Sequence, residues 1–386
     1  MIKVTYIISD TDQAIFFENT FRLIDKSRFA ISVILLNPGN TPFEETLVKE
    51  NIPHKRIRYT GKKDYPRAII QAIIYLRKIK PDIVHTHLAN ASVIGLFAAK
   101  IAGVKKRIYT RHGGTQKFFF DKGKKYDKAV HYMATHIIAT CENVKEVLME
   151  EDHVAAGKIT IVNLAFETEK FANPDPVIVE QLKQKYNPHA RGPVIGVISR
   201  WAGYKGIQYI LPAFKELLKT FPNALLILAN ARGNYAGEIQ KMVDEFRPEE
   251  ITAIPFENNI YELYQLFDVF VHVPVGKHYE AFGQIYIEAL AGGIPSVVTM
   301  AGIAPELIRD RYNALVVDYK NSEQIAAGLV TILTDHELRK QIIQNGKASV
   351  QNRFDYSRYI NELETMYTNT LDNKNKKTSK ALKAIV

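Results

Sequence analysis

Cysteine is nearly missing from this sequence: Cys141 stands alone among 386 residues. One thiol cannot close an internal disulfide, so nothing calls for an oxidising compartment and a cytoplasmic chain is expected. Long apolar runs are missing too. No stretch approaches the ~18 residues that span a bilayer, and the run Met1 to Asp10 is too short for a leader and lacks a small-residue cleavage site. It reads as a first strand, and any membrane contact is expected to be peripheral. No Gly-x-Ser-x-Gly elbow occurs, which argues against a serine hydrolase of that type. His85 and His87 alternate on one strand face but lack a third partner at metal-ligand spacing, so no metal is expected.

Acidic residues are scarce in one region only. Residues 1–170 carry 27 Lys and Arg against 18 Asp and Glu, residues 171–371 carry 19 against 22, and residues 372–386 five against one. The net charge of +10 therefore sits in the first half and the tail. Lys55-Arg56-Ile57-Arg58, Lys62-Lys63, Lys105-Lys106-Arg107 and the lysines from Lys122 to Lys128 suit an anionic lipid surface, a phosphate-bearing acceptor or simply water. A nucleic-acid binder accounts for these cations but not for the ordered acidic residues of the second half, so nucleic acid is not the expected partner.

What is present is the composition of a globular protein, 46% hydrophobic and 24% charged, with a length that suits two domains. Over the first 165 residues short β-rich runs alternate with amphipathic helical stretches. Val4–Ser9, Ile31–Leu36, Ile83–His87, Arg107–Thr110 and His136–Thr140 are the predicted strands, and the alternation predicts a parallel sheet. After Phe171–Gly192, rich in turn formers, the pattern restarts with Val194–Ser199, Ala224–Ala229, Ile251–Ile254, Val269–Val273, Ser296–Thr299 and Ala314–Val317. The expected organisation is a domain over 1–170, a linker over 171–192 and a second domain over 193–355. A helix over 356–371 is expected to pack back on the first domain, and a basic mobile tail to occupy 372–386.

Open α/β sheets bind ligands beyond the carboxyl ends of their strands. Two clusters in the second half occupy such places. In Ser199-Arg200-Trp201-Ala202-Gly203-Tyr204-Lys205-Gly206, two cations five residues apart and the positive end of a helix starting near Gly206 can converge on one diphosphate. A leaving diphosphate gains negative charge as its bond breaks, so fixed cations there favour the transition state. In Glu280-Ala281-Phe282-Gly283-Gln284-Ile285-Tyr286-Ile287-Glu288, a helix beginning near Phe282 offers unpaired backbone N–H groups to sugar hydroxyls or phosphate. Glu288 lies among apolar neighbours, where accepting ribose hydroxyls gives it a reason to face inward.

The spacing Arg200-x4-Lys205 followed by Glu280-x7-Glu288, with Ala-Phe-Gly inside, resembles family 4 of the retaining glycosyltransferases, the "group 1" enzymes. Asp82 to His87, Tyr109 to Gly113, Asp268 to Pro274, Ala289 to Val298 and Pro305 to Ile308 continue the resemblance in order over nearly the whole chain. It implies an α/β GT-B fold: two Rossmann-like doubly wound domains with the site in an interdomain cleft. It further implies that Arg200, Lys205 and Gly206 meet the donor diphosphate and Glu288 the ribose, while Glu280 with the Ala281, Phe282 and Gly283 backbone meets the transferred sugar. His112 is implied to lie beside that sugar. The implied donor is a nucleotide-diphosphate sugar, with a uridine diphosphate sugar favoured; the acceptor is expected to be a glycan, a lipid-linked sugar or a small molecule, and no cofactor or metal is implied. Retention of configuration comes from the resemblance alone.

Two places depart from the family pattern. Where members often carry Gly-Gly after the first strand this chain has Ser9-Asp10-Thr11-Asp12, and where many carry Asn-Gly it has Asn163-Leu164. On the acceptor side the candidates are His87, Arg111, Phe118 and Phe119, the two phenylalanines lying beside Lys117, Lys122, Lys124 and Lys125 as a loop suited to a lipid-linked acceptor at an anionic membrane. A nucleotide-sugar epimerase of the same fold and a non-catalytic basic membrane- or nucleic-acid-binding protein are the alternatives.

Overall fold

The structure, a computed structural model, describes residues 1–115 and 123–382, the side chains of 123–125 and 373–382 excepted. The chain divides into two units, residues 1–166 with 356–386 and residues 167–355.

The first unit is built on seven strands: β1 (Ile2–Ser9), β2 (Phe29–Asn37), β3 (His54–Arg58), β4 (Ile83–His87), β5 (Lys106–Arg111), β6 (His136–Ala139) and β7 (Ile159–Ile161). They pair in the order β3-β2-β1-β4-β5-β6-β7, and all pairs are parallel. The central strands read as near-continuous apolar runs because helices cover both faces of the sheet. The two strands that sequence patterning misses are the edges. In β3, His-Lys-Arg-Ile-Arg, Ile57 alone is buried, and the cations that read as a surface cluster are those of an edge strand, where charge discourages pairing with another chain.

One face of this sheet is closed by the returning helix Tyr356–Leu382. Its Tyr359, Ile360, Leu363, Met366 and Tyr367 enter the core beside Phe17, Phe21 and Phe29. Spacing of three and four residues puts those five on one stripe. Glu364 fixes the helix further, accepting from the Asp25 amide at 2.8 Å and pairing with Arg28 at 2.9 Å. The helical backbone runs to Leu382, past Asp372 where a mobile tail was expected to begin. No Gly or Pro interrupts it there, and Lys, Ala and Leu all favour a helix. Residues 383–386 lie outside the described residues.

The second unit carries six strands: β8 (Val194–Ile198), β9 (Leu225–Ala229), β10 (Ile251–Ile254), β11 (Val269–His272), β12 (Ser296–Val298) and β13 (Leu315–Val316). Their order is β10-β9-β8-β11-β12-β13, again parallel throughout. All six were legible as short apolar runs.

Residues 171–192, expected as a linker, are folded into this unit. Phe171 is buried, its ring 4.7 Å from that of Tyr261 and 5.6 Å from that of Tyr264. The Asn-Pro-Asp-Pro run is a helix start: Asp175 accepts from the Val177 amide at 2.8 Å, and Pro176 opens the helix Pro176–Tyr186. Proline lacks the N–H that a first helical residue cannot use anyway. Tyr186 then donates to Glu257 at 2.6 Å.

In each sheet the winding reverses at one place, between β1 and β4 and between β8 and β11. Loops leaving the carboxyl ends of those strand pairs diverge, which opens a crevice there.

Candidate functional site

At the second unit's reversal, the loops after β8 and β11 are fastened together. The Val275 amide donates to the Tyr204 carbonyl at 3.0 Å. Gly206 follows in the left-handed region at φ 82°, and a Cβ there would sit 2.0 Å from the Val273 carbonyl oxygen. Only glycine allows the helix Ile207–Thr220 to start so close to the end of β11. Across the site, Gly302 also makes a close approach, a Cβ there falling 2.6 Å from the Phe282 carbonyl oxygen.

Two helices begin in these loops, Ile207–Thr220 at Gly206 and Gln284–Gly292 at Gly283, and no side chain caps either one. Their first-turn N–H groups and aligned peptide dipoles give a positive potential that suits an anion.

The charged side chains meet in the same place. Lys205 Nζ donates to Glu280 Oε2 at 2.6 Å, and His272 Nε2, from the end of β11, lies 3.0 Å from the same oxygen. Burial by itself would raise the Glu280 carboxyl, but the Lys205 ammonium and the His272 ring hold it down at about 2. His272 is pushed below its ordinary value, since burial outweighs the pull of Glu280. Glu280 is thus a permanent anion at neutral pH, with its counter-ion in bonding distance.

Arg200 joins through Tyr204: its Nη2 donates to the Tyr204 hydroxyl at 2.8 Å, and the Tyr204 ring lies 5.5 Å below Lys205 Nζ. Glu288 sits apart from that pair, accepting from the Tyr264 hydroxyl at 2.8 Å and from Gln284 Nε2 at 2.9 Å. Burial raises its carboxyl, an effect these two donors partly oppose. Two buried donors on the loop after β8, Ser199 Oγ and Trp201 Nε1, have no hydrogen-bond partner among the described residues.

Lys205, Glu280 and, through Tyr204, Arg200 are therefore gathered, while Glu288 holds a neighbouring position on the helix Gln284–Gly292. Sequence reasoning gave no role to His272, Tyr204 or Tyr264. A histidine closing an apolar strand was the one available signal for His272.

In the first unit the candidate residues cluster at the ends of β4 and β5. His87 Nδ1 lies 3.0 Å from His112 Nε2, and His87 Nε2 is buried with no partner among the described residues. A buried N–H left unpaired costs more than an unpaired lone pair, so the hydrogen-bond geometry assigns the His87 proton to Nδ1, donating to His112. Neutral His112 then carries its own proton on Nδ1. Loss of surrounding water holds His112 at about 4, and His87 well below its ordinary value. His85 is engaged at both nitrogens, by the Tyr367 hydroxyl at 2.6 Å and by Thr110 Oγ1 at 2.7 Å.

Arg111, an expected acceptor contact, is turned inward. Its guanidinium is buried, faces Asp127 at 3.1 Å and Asp152 at 3.8 Å, and donates to the Gly113 and Gly114 carbonyls. Such a fork holds the loop after β5 in shape. Phe118 and Phe119 lie outside the described residues. Where Gly-Gly was absent after β1, Asp10 takes the left-handed conformation at φ 56° and accepts from Asn90 Nδ2 at 3.1 Å. No group of three or more His, Cys, Asp or Glu side chains arranged to hold a metal occurs among the described residues.

Comparison with known proteins extends this geometry. Residues 179–349 match the family described as "Glycosyl transferases group 1" and residues 16–170 the one described as "Glycosyltransferase Family 4". The capsular polysaccharide biosynthesis glycosyltransferase CapM of Staphylococcus aureus is 26% identical over 321 residues, 79% of this chain and 81% of that protein. An Escherichia coli UDP-Gal:alpha-D-GlcNAc-diphosphoundecaprenol alpha-1,3-galactosyltransferase is 22% identical over 92% of each chain. Among solved structures, Anabaena Alr3699/HepE in complex with UDP and glucose superposes with a TM-score of 0.79 at 18% identity, over 95% of this chain and 100% of that one. The two parallel sheets share the GT-B architecture of such structures.

Proposed function

We propose, from the premise that this chain is a glycosyltransferase carrying group 1 domains, that it moves a hexosyl or N-acetylhexosaminyl group from a uridine diphosphate sugar to a glycan or lipid-linked acceptor. One observation carries the donor half of this reading: Lys205, Glu280 and two uncapped helix N-termini converge where β8 and β11 part. A nucleoside diphosphate needs that set of groups. Lys205, Arg200 and the helix starting after Gly206 face its phosphates. Glu288, already hydrogen-bonded on each oxygen, keeps lone pairs for ribose hydroxyls. Glu280 with the backbone from Ala281 to Gly283 takes the sugar; in the first unit His112 presents an Nδ1–H that suits a sugar hydroxyl.

Bond changes follow from this arrangement. The bond from the anomeric carbon to the diphosphate oxygen breaks, the acceptor oxygen bonds to that carbon, and the acceptor proton passes to the departing phosphate. Positive charge from Lys205, Arg200 and the helix ends stabilises the leaving diphosphate as its charge grows, the task a metal performs in other phosphate-leaving enzymes. The reading includes attack from the face the phosphate leaves, hence retention.

Incubation with UDP-sugars and candidate acceptors, with release of UDP measured, tests the activity. Lys205→Ala is expected to lower transfer by about 10²- to 10³-fold, the loss of one preorganised charge-assisted contact. Proton NMR of the product is expected to show the donor's anomeric configuration, and chelators to leave the rate unchanged. Transfer at the wild-type rate by Lys205→Ala, or an epimerised UDP-sugar formed without acceptor, would remove the proposal.

A further inference from the structure

Three neighbouring helices of the first unit, Tyr65–Ile79, Ala89–Ile101 and Gly123–Met133, cover one side of its sheet. Ala68, Ala72 and Leu76 of the first, and Ile94, Ala98 and Ala99 of the second, face the core. The opposite face is unusual for a surface. Ile70 and Ile74 are 57% and 64% exposed, one turn apart, and on the next helix Phe97 and Ile101 are 43% and 45% exposed at the same spacing. Arg77 bridges the two helices, its Nη2 donating to the Ile101 carbonyl at 3.4 Å. Beyond them Tyr132, 76% exposed, lies with its ring 4.6 Å from Lys100 Nζ.

Charge on the first two of these helices has one sign; Asp64, just before the first, pairs with Arg67 at 3.5 Å, and Asp127 of the third pairs with Arg111 at 3.1 Å. Between Tyr65 and Thr115 the sequence holds nine Lys and Arg and one acidic residue, Asp82. Asp82 accepts from the Lys3 amide at 2.8 Å. Arg67, Arg77, Lys78, Lys80, Lys100 and Lys105 are exposed.

We propose that this helix face rests on an anionic lipid bilayer, its isoleucines, Phe97 and Tyr132 entering the headgroup boundary and its Lys and Arg side chains lying on lipid phosphates. Aliphatic side chains ringed by cations, with a tyrosine beside a lysine, match that boundary, apolar below and anionic above. A second copy of the chain fits worse, because a symmetric contact sets the same cations against one another. Nucleic acid fits worse as well, since four exposed aliphatic and phenyl side chains add nothing to phosphate binding. The surface uses none of the residues assigned to donor or sugar. It deepens the lipid-linked reading of the acceptor and rests on that reading for its use, but not for its geometry.

Co-sedimentation of the full chain with vesicles tests it. Vesicles of phosphatidylcholine mixed with phosphatidylglycerol are expected to bind the protein, and vesicles of phosphatidylcholine alone to bind it far less. The double variant Ile74→Glu with Phe97→Glu is expected to lose at least about tenfold in partitioning, because two apolar contacts become charged. Lys78→Glu with Lys100→Glu is expected to lose a similar amount and much of the salt dependence. Each variant should keep the wild-type melting temperature and its shift by UDP-glucose, which separates failure of this surface from failure of the donor site. Binding that ignores Ile74→Glu with Phe97→Glu, self-association broken by that variant without any vesicle binding, or equal binding to neutral vesicles would overturn the proposal.

Discussion

A carboxylate buried in protein stays charged only where a counter-ion or hydrogen-bond donors favour the charged form, and Glu280 has Lys205 at 2.6 Å and His272 at 3.0 Å. Glu280→Gln keeps the shape but removes the charge, leaving the Lys205 ammonium facing an amide. Sugar transfer is expected to fall about 10²-fold or more, with UDP affinity changed far less, because the proposed arrangement sets that charge against the sugar and not the phosphates. Steady-state rates beside UDP inhibition constants check this split. At His112 the prediction is spectroscopic: nitrogen-15 NMR of labelled histidine should show a neutral ring protonated at Nδ1 that does not titrate between pH 6 and 8. Ordinary histidine titration in that interval would contradict the assignment. Sequence alone singled out Lys205 and Glu280 because both lie on loops that follow strand ends. It did not show that they bond each other, since 75 residues separate them and the meeting depends on Gly206 closing on Val273. Arg111 was legible as a strand-end cation, whereas the Asp127 and Asp152 carboxylates that turn it inward belong to elements with no sequence link to it.

Among elements, the start of the helix Ile207–Thr220 is the most constrained. Gly206→Ala combines a left-handed φ with a Cβ 2.0 Å from a backbone oxygen, which cannot move as a side-chain end can. A loss of at least ~2 kcal/mol of stability is expected, read by denaturant unfolding. Gly237, inside the helix Ala236–Val243, has an ordinary φ and open space for 4 Å around the place a Cβ would take. Gly237→Ala is therefore expected to be neutral or to add up to about 1 kcal/mol. Central strands were readable because burial on two faces demands unbroken apolar runs. The edge strand β3 was not, because an edge tolerates Lys and Arg at alternate positions. Residues 171–192 misled for a related reason: Asn, Pro and Asp mark a helix start as readily as a turn, and only the packing of Phe171 on Tyr261 and Tyr264 decides between them.

For the molecule as a whole, titration should act unevenly on the two units. His85, His87, His112, His131 and His136 of the first unit are all held below the ordinary histidine value, foremost by burial, whereas His272 is the one such histidine among the described residues of the second. The unfolded chain takes up protons near pH 6.5 that the folded first unit refuses until about pH 4, where His112 and His131 titrate. Stability is thus complete above pH 6.5 and is lost as pH falls toward 4. Glu280, held at about 2, works in a lower window, its contribution surviving until pH drops below the usual carboxylate range. Hydrogen exchange followed by mass spectrometry at pH 7 and pH 5, corrected for intrinsic rates, is expected to show the first unit losing more protection. Equal losses in both units would contradict the burial of those histidines. The most direct test of the donor site is calorimetric titration of UDP into the wild-type protein and into Lys205→Ala. Saturable binding weakened in the variant by about 2 kcal/mol, roughly thirtyfold, is the predicted result; equal affinity in the two proteins would contradict it.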